Sequence, residues 1–148
     1  MLALVLSGCG SSAPGSADTG ESLRRVLNYK PDGSSGPQSI LELGGLDLNA
    51  SCDRYRGNRR LRVIAISGVD GASRRSTLSG PALGGGQRTY SSRDFGTGSD
   101  AYDVLGSVAG GLEKARLRFD RPDGGTVSVS LRAQTDECTL RGAATFRP

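Results

Sequence analysis

Apolar and polar residues alternate with a period of two along much of the chain after Ser39, the pattern of strands buried on one face. Leu46-Asp47-Leu48-Asn49-Ala50-Ser51-Cys52 alternates without a break, which puts Leu46, Leu48, Ala50 and Cys52 on one side. Lys114 to Phe119 repeats the pattern, with Ala115, Leu117 and Phe119 inward and Lys114, Arg116 and Arg118 outward. Asp120-Arg121-Pro122-Asp123-Gly124-Gly125 then supplies hairpin turn chemistry. Thr126 to Ala133 returns from it, with Val127, Val129, Leu131 and Ala133 inward. The β-branched run Leu61 to Ser67 is apolar enough for a central strand, and Cys138 to Phe146 closes the chain's patterned part.

Elsewhere the pattern is less direct. In Glu21 to Tyr29, Leu23, Val26 and Leu27 fit helical spacing, while Leu23, Arg25, Leu27 and Tyr29 fit one side of a strand; the strand is preferred. Ile40, Leu41 and Leu43 lead into Gly44-Gly45, read as a bulge or kink. Asp53 to Arg60 reads as a polar loop and Arg74 to Leu78 as a short edge strand. Gly80 to Gln87 and Gly96 to Asp100 read as loops, Thr89 to Phe95 as interrupted strand, and Ala101 to Val108 stays unassigned. Short alternating strands without intervening helices predict an all-β fold: an antiparallel β-sandwich, jelly-roll-like or a partly open barrel. It forms one domain over residues 21–148, with its core in 39–147.

Composition narrows the chemistry. With 35% hydrophobic residues and 23 glycines, the core is thin and turns are many. Histidine is absent, which removes the Ser-His-Asp triad, the two-His zinc hydrolases and haem-His ligation. The net charge of +4 is carried almost wholly by Arg, with Lys only at Lys30 and Lys114. That excess reads as attraction to an anionic lipid or polymer, or as the Arg usage of a GC-rich genome; the second is preferred. Few aromatics and a modest charge argue against a nucleic-acid partner.

The chain opens with a short apolar run, Leu2 to Leu6, followed by Leu6-Ser7-Gly8-Cys9. The run is too short to span a bilayer and suits the hydrophobic region of a signal peptide. The tetrapeptide resembles the bacterial lipobox, and the resemblance implies diacylglycerol on the sulfur of Cys9 and cleavage before it. No Lys or Arg precedes the run, so the reading expects the true start to lie upstream of Met1. Gly10 to Gly20 is a Ser/Gly/Ala/Pro tether with nothing to bury. Residues 1–8 are therefore read as a signal-peptide remnant and 9–20 as lipidated Cys and flexible tether. Two further cysteines, Cys52 and Cys138, sit at inward strand ends, and in an oxidising compartment they are expected to pair as one disulfide closing the domain.

Four candidate constellations remain. Asp94, Asp100 and Asp103 lie in a Gly-rich stretch and form a candidate calcium set, although their spacing does not match the EF-hand loop. A glycosidase-type carboxylate pair cannot be picked out among 15 acids, and Gly84-Gly85-Gly86 lacks the Lys and Ser/Thr of a phosphate loop. Arg54, Arg56, Arg59, Arg60 and Arg62 make the densest charge run, a polyanion patch or, as preferred, a solvated loop at a sheet end.

Leu43 to Cys52, Asp94-Phe95-Gly96 and Cys138 to Ala144 together resemble small exported β domains of high-GC Gram-positive bacteria. That resemblance implies export and a β fold and transfers no catalytic residue. The expectation is an envelope lipoprotein, extracytoplasmic and held to the membrane by its lipid. Its sandwich binds or scaffolds an envelope or extracellular partner without catalytic activity or cofactor. The alternatives are a His-free carboxylate hydrolase acting on envelope glycan and a calcium-stabilised adhesive module.

Overall fold

The computed structural model describes residues 20–33, 36–105 and 111–148. Its strands are β1 (Leu23–Tyr29), β2 (Gln38–Leu43), β3 (Leu46–Tyr55), β4 (Asn58–Ser67), β5 (Ser73–Ser79), β6 (Gln87–Ser92), β7 (Tyr102–Leu105), β8 (Leu112–Asp120), β9 (Thr126–Gln134) and β10 (Thr139–Arg147). A 3-10 turn at Pro81–Leu83 is the one helical element among the described residues. A larger sheet has the order β1-β10-β9-β8-β5-β6 and a smaller one the order β2-β3-β4-β7, every pairing antiparallel. The predicted all-β sandwich is therefore the observed architecture.

Burial follows the alternation. In β8, Glu113, Ala115, Leu117 and Phe119 are buried while the residues between them are exposed or half-buried; β9 repeats this with Val127, Val129, Leu131 and Ala133. The smaller sheet answers with Leu46, Leu48 and Ala50 from β3 and Leu61, Val63 and Ala65 from β4, all fully buried. These inward rows form one hydrophobic core between the sheets. Phe95, from the connection after β6, packs edge-on against Phe119 with centroids 6.2 Å apart and helps close one side.

Cys52 on β3 and Cys138 just before β10 form a disulfide, S–S 2.02 Å, and so join the two sheets covalently. Tyr29 is also buried, and burial pushes its phenol above the ordinary value.

Three local expectations are corrected. Gly44-Gly45 is the tight turn of the β2–β3 hairpin, with φ of 57° and 83°, a geometry that favours residues without a side chain. The irregularity in that hairpin lies instead between Ser39 and Leu41. Asp53 to Arg60 is no loop: β3 and β4 stay paired out to Tyr55 and Asn58 and turn through Arg56-Gly57. Finally, β5 lies between β8 and β6, so it is an interior strand, and β6 is the edge.

Candidate functional site

Strand register gathers cations that are far apart in sequence onto the outward face of the larger sheet. Three consecutive cross-strand rows define it. The first runs Arg24, Thr145, Ser128, Arg118, Arg75, Ser91 from β1 to β6. The second runs Val26, Ala143, Ser130, Arg116, Thr77, Thr89, and the third Asn28, Arg141, Arg132, Lys114, Ser79, Gln87. Seven of these positions are Arg or Lys and none is Asp or Glu. Of the chain's 19 cations and 15 acids, seven cations and no acid fall in these three rows, which thus carry more positive charge than the chain's whole excess of +4.

The cations are arranged as walls. Lys114, Arg116 and Arg118 form a ladder down β8, with a step of two residues, or about 6.7 Å. Arg132 and Arg141 stand side by side at one end, and Arg24 rises on the far side from β1. Between them β9 and β10 present only small side chains: Ser128, Ser130, Ala143 and Thr145. The result is an open depression of about 470 Å³ bounded by Arg24, Arg75, Arg116 and Arg118. It adjoins a second of about 500 Å³ bounded by Lys114, Arg116, Arg132 and Arg141. Arg116, Ser130 and Ala143 line both, so the two form one trough along β9 and β10.

Its electrostatics are uncompensated. Arg118 pairs with Asp120 at 2.9 Å, at the margin of the face. Among the described residues, Arg24, Arg75, Lys114, Arg116, Arg132 and Arg141 take part in no ion pair. Worse, Arg141 sits directly opposite Arg132, Arg132 opposite Lys114, and Arg118 opposite Arg75. Like charges directly opposite destabilise a sheet, by up to about 1 kcal/mol per pair. An anion seated among them would remove that repulsion and accept several charge-assisted hydrogen bonds.

The sequence-predicted positions fare differently. Cys9 lies outside the described residues, as does most of the tether. The Arg54–Arg62 run does not make one patch. Arg60 forks both nitrogens onto Asp53, at 2.9 and 2.5 Å, and this holds the Asp53 carboxyl below its ordinary value. Arg62 does the same with Asp103 at 2.6 and 3.2 Å, which raises the guanidinium's affinity for its proton. Arg56 and Arg60 lie over the Tyr55 ring, while Arg54 and Arg59 face one another at the exposed hairpin tip.

The candidate calcium set Asp94, Asp100 and Asp103 is also dispersed. Asp103 is engaged by Arg62 on the outer face of the smaller sheet, and the Asp94 backbone bonds the Ser92 hydroxyl. Among the described residues no three His, Cys, Asp or Glu side chains converge on a metal position. The Gly-rich segment is held instead by Asp70, which accepts hydrogen bonds from the Thr97 amide at 2.9 Å and hydroxyl at 2.6 Å and is acidified by them.

Sequence reasoning did not find Arg74. Its guanidinium lies 3.4 Å over the Tyr102 ring and 5.3 Å from that of Phe95 at the side of the sandwich where β5 approaches β7. Burial lowers its proton affinity, and Nε and Nη1 have no hydrogen-bond partner. Beside it Ser76 Oγ and the Tyr102 hydroxyl share a 2.5 Å hydrogen bond. This is a stacked cation sealing an open side of the core.

Fold and face together define a class, a disulfide-closed β-sandwich presenting an unneutralised cationic sheet surface. No protein-family model, curated protein or solved structure matches the chain.

Proposed function

We propose that this chain is an envelope-anchored binding module that holds an anionic partner on the outward face of its larger sheet. One observation carries the reading: six of the seven cations on that face lack an ionic partner among the described residues, although the rest of the chain carries excess acid. Surface charges of both signs are normally interspersed; seven cations gathered in three adjacent acid-free rows make a concentrated positive field suited to an anionic ligand. The lipobox-like Leu6-Ser7-Gly8-Cys9 supports anchorage through Cys9, and the disulfide supports an oxidising compartment.

Cosedimentation with a crude envelope fraction tests the reading. The chain carrying Cys9→Ala, so that no lipid holds it to membrane, sediments at low ionic strength and is released by salt, and the charge variants are made in that background. Arg116→Glu/Arg132→Glu stays in the supernatant. Arg54→Glu/Arg59→Glu, which changes net charge equally but lies at the hairpin tip, sediments like the parent. Equal behaviour of the two double variants would show attraction by net charge alone and remove the face from the account. For the anchor, Cys9→Ala moves the mature protein from the detergent to the aqueous phase on Triton X-114 partition; retention in the detergent phase contradicts lipidation there.

A further inference from the structure

Resting on the basic-face reading, we infer that the occupant of the trough is a linear polyanion built of hydroxylated, non-aromatic units, such as a phosphate-linked polyol or a polyuronate. Three observations select that chemistry.

The first is shape. The walls stand on β8 and β1, three inter-strand spacings apart, or about 14 Å. The floor between them is Ser128, Ser130, Ala143 and Thr145, so the cationic arms rise above a recessed centre. A planar bilayer would meet the arm tips and leave this floor unused. A single extended chain can lie along it.

The second is spacing. Lys114, Arg116 and Arg118 repeat every second residue, so a chain running along β9 meets a cation about every 6.7 Å. One anionic group per sugar- or polyol-sized unit suits that step. Guanidinium forks suit phosphate and carboxylate alike, and the floor hydroxyls offer hydrogen bonds to neutral hydroxyl groups between the charges.

The third is the absence of stacking surfaces. The three outward rows contain no aromatic residue, and Val26, 82% exposed, is their one large apolar side chain. Single-stranded nucleic acids draw much of their affinity from base stacking, and membrane-seated surfaces draw theirs from inserted apolar side chains. This face supplies neither.

The experiment is a fluorescence-anisotropy titration of the oxidised chain carrying Cys9→Ala, so that no lipid adds to vesicle binding, at about 50 mM salt. The probes are labelled poly(glycerol phosphate) and polygalacturonate oligomers, with an oligo(dT) of equal charge and vesicles rich in phosphatidylglycerol as comparators. Ser130→Tyr fills the trough floor without altering charge; Arg116→Glu/Arg132→Glu removes two wall cations. The expected result is tighter binding of one or both hydroxylated polymers than of oligo(dT) or vesicles. Ser130→Tyr should weaken it about tenfold and the double charge reversal about tenfold or more. The polymer that binds more tightly identifies the anion as phosphate or carboxylate. Undiminished polymer binding by Ser130→Tyr overturns the trough inference and leaves the basic face standing. Preference for oligo(dT) or vesicles overturns the ligand class. Indifference of all probes to the double reversal overturns both readings. Urea midpoints for each variant exclude loss through misfolding.

Discussion

On the outer face of the smaller sheet, Arg60 stands opposite Asp53 and Arg62 beside Asp103, each arginine forking onto a carboxylate. On the outer face of the larger sheet, Arg132 stands between Arg141 and Lys114, and Arg118 faces Arg75. The two surfaces share strand geometry and a common core, yet one neutralises its arginines and the other stacks them against their own kind. Local preference for Arg in strands explains neither arrangement. Pairing is what a sheet does to stabilise itself, modestly, in solvent. Uncompensated rows lower stability, and they gain purpose when something anionic completes them.

The largest expected effect comes from cutting the covalent link between the two sheets. The bridge spans 86 residues, for which loop-closure arguments give about 4–5 kcal/mol. Cys52→Ser/Cys138→Ser should lose about that much in urea denaturation, a large part of a domain's usual margin of about 5–15 kcal/mol. A loss below about 1 kcal/mol would mean that the core alone holds the faces back to back.

The next test sets the two faces against each other directly. Arg132→Glu converts two like-charge cross-strand pairs into attractive ones, so the variant should gain about 0.5–1 kcal/mol in urea denaturation while losing polyanion binding. Asp103→Ala should have the opposite sign, losing about 0.2–1 kcal/mol with no change in binding. If both substitutions destabilise, the contrast between the faces is not electrostatic.

How far the chain disclosed all this depends on where its side chains meet solvent. The alternation of β8 and β9 was legible because one face of each is buried and the other wet, and β3 was legible as far as Cys52 for the same reason. Beyond Cys52 the β3–β4 hairpin extends past the core, both of its faces are polar, and the period disappears; Asp53 to Arg60 therefore resembled a loop. In β5 the inward positions include Arg74 and Ser76, polar groups tolerated by stacking on Tyr102 and bonding its hydroxyl, so an interior strand looked like an edge. The trough was half visible: Lys114, Arg116 and Arg118 share one side of a single strand. Arg24, Arg75, Arg132 and Arg141 join them only through long-range register, which no local window contains. Meanwhile the densest arginine run in the sequence is partly consumed by its own acids.

The smallest expected effect is a pH dependence on the paired face. The Arg60 fork holds the Asp53 carboxyl below its ordinary value, so the unfolded chain takes up that proton first as pH falls. The pair's contribution, about 0.2–1 kcal/mol, is therefore complete above about pH 4 and is lost as pH drops through the folded-state value. The stability difference between the parent and Asp53→Asn should shrink towards zero between pH 7 and pH 3. A difference that grows on acidification would reverse the assignment.

The division of labour between the faces can be read in a single spectrum. Backbone amide shifts, recorded by NMR while poly(glycerol phosphate) or polygalacturonate is titrated in, should move at Ser128, Ser130, Ala143, Thr145 and along Lys114 to Arg118. Asp47 to Asp53 and Arg60 to Ile66 should stay fixed. Shifts concentrated on the smaller sheet, or spread evenly over both surfaces, would contradict the assignment of the larger sheet's outward face as the binding surface.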